Sequence, residues 1–331
     1  MISDKISFSI IVPTCNRPQQ LALALDSIAL QTYLSFEVFI INNGTIENHK
    51  DDYLTIQKSF DKRFKFLNYY NDDAQGFGPA IARNLGVSKA SGDYLLFLDD
   101  DDIWVDNSYL QRLQEITERF APEILISEQT GVSMSGDKET LIRPKWFPNI
   151  DKSPYYTTVT DNLGIVTLDY FSCAGVFPHI NITVYKHSLL EKTKGFNKGL
   201  WYEEDLEMFL RSVDNVDKIY VSNLLVAKHY IPIKEEKLNI SANITDINKH
   251  CTRINLANDL LAKVKSKQVK RFIFNMMSHS AKHLSQFYGK NNEIKLEKMY
   301  ATIALRAKFT FKWHVYCCFL NVKHSYHRFF K

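Results

Sequence analysis

Four consecutive carboxylates, Asp99, Asp100, Asp101 and Asp102, directly follow the apolar run Leu95–Leu98. Like charges this close repel one another, and a buried strand has no use for them. Carboxylates at a strand's end, on a loop facing a crevice, bind hard divalent cations through oxygen, and Mg2+ or Mn2+ would also remove the repulsion. Alternate residues of an extended segment point to the same side, so Asp99 and Asp101 can act together. The plainer alternative is a solvated acidic turn. A second acidic group, Glu203-Glu204-Asp205, crowds the start of a helix-patterned run at 202–213, where acids are favoured in any case. His229 stands just past a strand-like run, and a lone histidine is more often an ordinary surface or core residue than a ligand.

The elements that must position these groups are legible in the pattern. Phe8–Val12 is a β-rich run stopped by Pro13-Thr14, and Phe36–Ile41 is a second, broken by Asn42-Asn43-Gly44-Thr45. Between them Leu21, Leu25 and Ile28 fall at helical spacing behind Pro18. Phe64–Tyr70 reads as a third strand, Pro79 opens a helix closed by Ser91-Gly92, and Tyr94–Leu98 is a fourth strand. Strands alternating with helices at this spacing predict a parallel, doubly wound sheet, whose ligands bind at the carboxyl ends of its strands. Three of those ends carry polar clusters, Thr14-Cys15-Asn16-Arg17, Asn42-Asn43 and Asp99–Asp102, which share one crevice if the strands lie side by side. Farther on, Ile124–Ser127 reads as a strand and 130–165 as a loop-rich insertion with Pro144, Pro148 and Pro154.

Composition sets outer limits. Over 331 residues, 45% hydrophobic and 13% aromatic content fit a globular chain with a real core. The net charge of +4 hides an asymmetry: Lys249–Lys331 holds 17 Lys/Arg against 3 Asp/Glu (+14), leaving 24 basic and 34 acidic side chains (−10) before it. Five cysteines without a CxxC pair speak against a disulfide framework and for a cytoplasmic setting. The opening MISDKISFSIIVPT lacks a basic n-region and reads as no leader. No stretch approaches the roughly 20 apolar residues of a membrane span.

Five short motifs in order make the chain resemble glycosyltransferase family 2, inverting enzymes of the GT-A fold. They are Ile10-Ile11-Val12-Pro13-Thr14-Cys15-Asn16-Arg17; Asn42-Asn43-Gly44-Thr45; Ala82-Arg83-Asn84-Leu85-Gly86; Gly92-Asp93-Tyr94 through Asp102; and Gly195-Phe196 with Glu204-Asp205 and Arg211. The resemblance covers residues 8–211, leaves the basic tail outside it, and implies an α/β fold: a Rossmann-like, mostly parallel sheet flanked by helices. After about 250 the chain reads as helices with interleaved bases and aromatics. With the charge break, the expected organisation is a catalytic domain over 1–248, its nucleotide half about 1–105 and its acceptor half about 106–248, and a C-terminal helical extension over 249–331. Asp99 and Asp101 match the family's DxD pair, for the donor's ribose and the metal on its diphosphate, and Asp205 matches the catalytic base. His229 matches a histidine that completes the metal shell, giving Asp101, Asp99 and His229 as ligands of Mn2+ or Mg2+. Pro13, Thr14, Asn16, Arg17, Asn42, Asn43, Arg83, Asn84, Asp99 and Asp100 would hold the nucleotide-sugar. The family usually has Asp where this chain has Asn42. An amide can donate as well as accept, so UDP is favoured while cytidine and guanosine donors stay open.

The expected activity is therefore transfer of a sugar from a nucleoside diphosphate to a hydroxyl of a glycan or lipid-linked glycan, in bacterial surface polysaccharide synthesis. The rivals are a sugar nucleotidyltransferase, which would want a Gly-rich phosphate loop that Pro13–Arg17 lacks, and a degenerate glycan-binding scaffold, which would show eroded acids. The basic tail, 263–331, is either a helical cap or an interfacial segment on an anionic bilayer. The latter implies peripheral association with the inner face of the cytoplasmic membrane. No recognised nucleic-acid module accompanies the charge, so no nucleic-acid partner is expected.

Overall fold

The computed structural model of the chain describes residues 6–69, 76–136, 138–231 and 243–329, with the backbone alone at 324–329. Met1–Lys5, which open the segment read as no leader, and Phe330 and Lys331 of the basic tail lie outside the described residues. The chain divides into two compact units, Met1–Glu236 and Lys237–Lys331.

The first unit opens with β1 (Phe8–Thr14), α1 (Pro18–Ala29), β2 (Phe36–Asn42), α2 (Lys50–Ser59), β3 (Phe64–Asn68), α3 (Pro79–Lys89) and β4 (Tyr94–Phe97). The four strands are mutually parallel, β1 lying between β2 and β4 with β3 outside β2. Helices on the faces of such a sheet bury its strands from both sides, which is why β1 and β2 read as unbroken apolar runs. Ile10, Ile11 and Val12 are fully buried. In α1, Pro18 sits at the first turn and Leu21, Leu25 and Ile28 face inward. α2, which has no periodic apolar face, buries only Tyr53. Gly86 lets α3 lie directly on β1, since a Cβ there would stand 2.5 Å from Ile11 Cγ2.

Beyond β4 come β5 (Ile103–Trp104), α4 (Tyr109–Phe120), β6 (Ile124–Ser135), β7 (Lys138–Arg143), β8 (Tyr156–Thr160), β9 (Leu163–Val166) and α5 (Leu168–Ala174). The unit closes with β10 (Thr183–Lys186), α6 (His187–Thr193), α7 (Glu204–Val213) and β11 (Ile219–Tyr230). The described strands form one sheet ordered β3-β2-β1-β4-β10-β6-β11-β9-β8, with β5 on β11 and β7 on β6. Pairing becomes mixed past β4, because β10 runs antiparallel to both β4 and β6. The stretch 130–165, expected as loop-rich, instead carries the antiparallel pairs β6–β7 and β8–β9. β7 is exposed almost throughout, so no alternation of apolar residues announces it. His229, expected past a strand, lies inside the long β11.

Strand order reverses at β1, with β2 on one side and β4 on the other, so the carboxyl ends of these strands open on a switch-point crevice. Thr14 and Asn42 are register partners there, and the Leu98 amide extends β4 by donating to Ile11 O at 3.1 Å.

The second unit holds α8 (Asp246–Lys263), α9 (Lys267–Lys290), α10 (Ile294–Ala307) and α11 (Phe311–Phe329). Thr245 and Ser266 cap the first two of these with their hydroxyls. Ile254, Ala281, Leu284 and Ala304 form its buried cluster, with Tyr300 and Trp313 packed against it. Small residues bring α9 against α10, where the Ser278 and Ser285 hydroxyls donate to the carbonyls of Ala304 and Glu297. No described helix is long and apolar enough to cross a membrane.

Candidate active site

The acid loop hangs between β4 and β5. Asp102 N–H donates to Asp99 O at 3.1 Å, closing a tight turn, and β5 then pairs with β11 through Ile103↔Lys228 and Trp104↔Ala227. One step farther along that pairing, Asp102 meets His229. Register shifts in β11 between Val221 and Ala227 re-aim its end, a use of bulges common beside functional sites.

All four acids are engaged, by three different cationic side chains. Asp99 Oδ1 accepts from Arg83 Nη2 at 2.7 Å, and the Asp99 amide donates to Asn181 Oδ1 at 2.9 Å. Asp100 and Asp101 share Arg17, whose Nη1 reaches them at 3.1 and 2.8 Å. Asp102, its side chain fully buried, accepts from His229 Nδ1 at 2.9 Å, from the Tyr230 amide at 2.7 Å and from Asn181 Nδ2. Burial lifts the carboxyls of Asp100 and Asp101, the latter also through the charges of Asp102 and Asp100. At Asp99 burial pulls the same way, but the Arg83 guanidinium, with His179 and His229, more than offsets it and the carboxyl stays below its ordinary value. Burial likewise works against a charge on His229, yet Asp102 overcomes it and raises that imidazole. His179 is held down to about 4 by burial and by His229.

His179 opens a short turn, Ile180–Ile182, just before β10. Its ring lies 4.4 Å from that of His229, and Trp146 sets its edge against both. Asn181, two residues on, bolts the turn to both ends of the acid loop. Asp102, His179 and His229 together bring ligand-type atoms within 4.8 Å of one another. The sequence grouped His229 with Asp99 and Asp101. In the structure those two carboxylates face arginines, while strand pairing delivers His229 to Asp102. The donor set of two imidazoles and a carboxylate fits a divalent transition-metal cation better than it fits the all-oxygen preference of Mg2+.

Arg83 joins the acid loop to α7. Besides Asp99 its guanidinium donates through Nη1 to Glu204 Oε1, and it is buried between the two carboxylates. Asp205 follows Glu204 in the first turn of α7, where its Oδ1 accepts from the Leu206 amide at 2.8 Å. Burial and the neighbouring charge of Glu204 push the Asp205 carboxyl upward, Arg83 pulling the other way. Asn84 does a different job: its amide donates to Phe196 O and accepts from Phe196 N, both at 2.8 Å. Gly195 before it, at φ 63°, would drive a Cβ into Asn84 Oδ1. Arg211 completes the hold, bonding Glu207 and the carbonyls of Thr193 and Gly195.

At the end of β1, Pro13 is partly buried and pairs with Ile41. Thr14 Oγ1 shares a 2.9 Å hydrogen bond with the Tyr53 hydroxyl, which also accepts from the Arg17 amide at 3.0 Å. Asn16 takes a left-handed conformation and accepts from the Ile46 amide at 2.7 Å. Asn42 and Asn43 are buried and engaged within the protein. Asn42 accepts from Thr45 Oγ1, and Asn43 ties the Phe77 amide and Gly78 O. Thr14, Arg17, Arg83, Asp99, Asp100, Asp101, Asp102 and His229 thus form one connected site. Asn84 serves its neighbouring loop, and Asn42 and Asn43 the turn after β2. His179, Asn181 and Tyr53 carried no motif. Each is a single polar or aromatic residue whose value lies in a partner distant in sequence.

Known proteins resemble the chain in sequence and in fold. The family model for glycosyl transferase family 2 matches residues 9–177. A 104-residue segment is 34% identical to UDP-Glc:alpha-D-GlcNAc-diphosphoundecaprenol beta-1,3-glucosyltransferase WfgD of Escherichia coli, covering 31% of this chain and 38% of that one. The curated relatives are longer than the matched segments, which span from 15% to 38% of their lengths. Among solved structures, Staphylococcus aureus TarS 1-349 in complex with UDP-GlcNAc superposes with a TM-score of 0.63 at 18% identity, over 91% of this chain and 83% of that one. The mannosyltransferase PcManGT of Pyrobaculum calidifontis, in complex with GDP-Man and Mn2+, gives a TM-score of 0.53 at 13% identity, over 96% and 88%.

Proposed function

The chain belongs to glycosyl transferase family 2 and is a glycosyltransferase of the GT-A fold, and on that footing we propose that it transfers a sugar, with inversion, from a UDP-sugar to a hydroxyl of a lipid-linked glycan. The observation that carries this reading is the Arg83 bridge, which holds the acid loop and the first turn of α7 to one guanidinium. The acids proposed to bind the donor and the turn that carries the candidate base are thereby tied to one side chain.

In this mechanism Asp205 accepts the proton of the acceptor hydroxyl as its oxygen forms a bond to the anomeric carbon. The bond from that carbon to the diphosphate breaks on the opposite face, and the nucleoside diphosphate leaves. Asp99 and Asp100 meet the donor, with Pro13, Thr14, Asn16 and Arg17 along its nucleotide; Asn42, Asn43 and Asn84 act through the loops they hold. His229, with His179 and carboxylates of the acid loop including Asp101, would hold a divalent cation, Asp102 fixing the His229 ring through Nδ1. Bound there, the cation would neutralise charge growing on the departing diphosphate. A glucosyl donor and a diphosphoundecaprenol-linked acceptor are the first pair to try, by analogy with the Escherichia coli relative.

The test is Asp205→Asn, assayed for transfer over a panel of nucleotide sugars and for donor binding by calorimetry. Retained donor binding with transfer lowered about 10²–10⁴-fold is expected for loss of a general base. Undiminished transfer would move the base elsewhere, and a product of retained configuration would refute the single displacement.

A further inference from the structure

Helix α11 is apolar on two opposite faces. At roughly 100° per residue, Trp313, Tyr316, Cys317 and Leu320 fall on one side, which is the side packed on α10. The Trp313 indole donates to Ala301 O at 2.9 Å, the Tyr316 hydroxyl donates to Glu297 Oε1 at 2.7 Å, and Leu320 is fully buried. Phe311, Val315, Phe319 and Val322 fall on the other side, and they are 76%, 51%, 59% and 70% exposed. Phe309, just ahead of the helix, is 66% exposed. Lys312 and Lys323 lie along one flank of the outer stripe, His314 and Asn321 along the other. A scattered exposed leucine needs no explanation, but an uninterrupted aromatic and aliphatic stripe along a helix marks an interaction surface.

The charge around the stripe identifies what it fits. From Ile294 to Phe329 the only acid is Glu297, and it is buried and turned inward, taken by Tyr316 and Lys323. Lys295, Lys298, Arg306, Lys308 and Lys312 are therefore not answered by any acid of these two helices that faces outward. A second copy of the same surface would bring like charges together, which disfavours self-association through it. An apolar stripe with lysines along one flank and no outward acid on either helix, on a helix too polar to cross a bilayer, has the form of an interfacial helix.

We propose that the outer face of α11 seats on an anionic lipid bilayer, Phe311, Val315, Phe319 and Val322 entering the headgroup boundary with the lysines among the phosphates. This surface lies wholly in the second unit and is independent of the reading of the acid loop.

The full chain is sedimented with vesicles of phosphatidylcholine alone and of phosphatidylcholine mixed with phosphatidylglycerol. It should partition about tenfold more strongly to the mixed vesicles, and less so as salt rises. The double variant Phe311→Ser/Phe319→Ser should lose about tenfold of that binding while its melting temperature stays put, since both rings are exposed. As a second measurement, the indole emission of Val315→Trp should shift to the blue on adding mixed vesicles, beyond any shift of the parent chain. The proposal is overturned if the chain stays in the supernatant with both vesicle types, if the double variant sediments like the parent, or if the emission of Val315→Trp moves no more than the parent's. It is equally overturned if light scattering without vesicles finds a dimer that the double variant dissociates, which would assign the stripe to a second copy.

Discussion

Asp102 stands apart from the three acids before it. It accepts three hydrogen bonds and is sealed from solvent, so most of its acceptor sites are already taken. On the proposed reading its effect on the site passes through His229, whose Nδ1–H it holds, leaving Nε2 as the atom that would ligate a cation. Asp102→Asn should accordingly weaken Mn2+ binding about 10–100-fold in a calorimetric titration without donor. An unchanged affinity would mean that the His229 ring needs no such hold. The sequence showed the run of acids but not how it divides, because the division depends on Arg17, Arg83 and His229, which stand 83, 16 and 127 positions from the acids they contact. His179 was invisible for the same reason: nothing near it in the chain repeats a ligand spacing.

At the scale of elements, the parallel half was legible because β1, β2 and β4 are apolar runs buried on both faces that break at short polar clusters. The outer strands were not: β7 is exposed and β8 only partly buried, and their polar segments, Thr-rich in β8, look like loop until a neighbour pairs with them. The parallel half is also stitched at the end opposite the acids. Glu37, in β2, accepts from Ser9 Oγ at 2.7 Å, from the Ser91 amide at 2.7 Å and from Lys65 Nζ at 2.6 Å. Burial acts to raise this carboxyl, but those donors bring it down to about 2. A carboxyl depressed in the folded state stabilises the fold above its unfolded value, roughly 4.3, and that contribution fades as pH falls through the folded one. Glu37→Gln should cost about 1–3 kcal/mol at pH 7 in urea denaturation. The deficit should shrink steadily as the pH drops from 4.5 towards 2 and vanish below it. A deficit that persists in acid would trace to packing rather than charge.

Across the whole molecule the charge is divided rather than balanced, with −10 before Lys249 and +14 from there on. That asymmetry could be counted from the sequence, whereas the outward stripe of α11 required the structure to show which face α10 had already taken. At 0.15 M salt the screening length is about 8 Å, so local patches govern adsorption more than net charge does. The chain should therefore be retained on a cation exchanger at neutral pH more firmly than its net +4 suggests. Elution in the void at low salt would show that the basic helices present no coherent patch. The Arg83–Glu204 bridge has one more consequence, which concerns synthesis. Its two ends are 121 positions apart, and at about 5–20 residues per second a ribosome separates them by roughly 6–24 s. For most of that interval a nascent chain carries the acid loop without α7, and Arg83 has only Asp99 of its two carboxylate partners. On the proposed reading the candidate base joins the donor-binding residues only with the segment that closes the bridge.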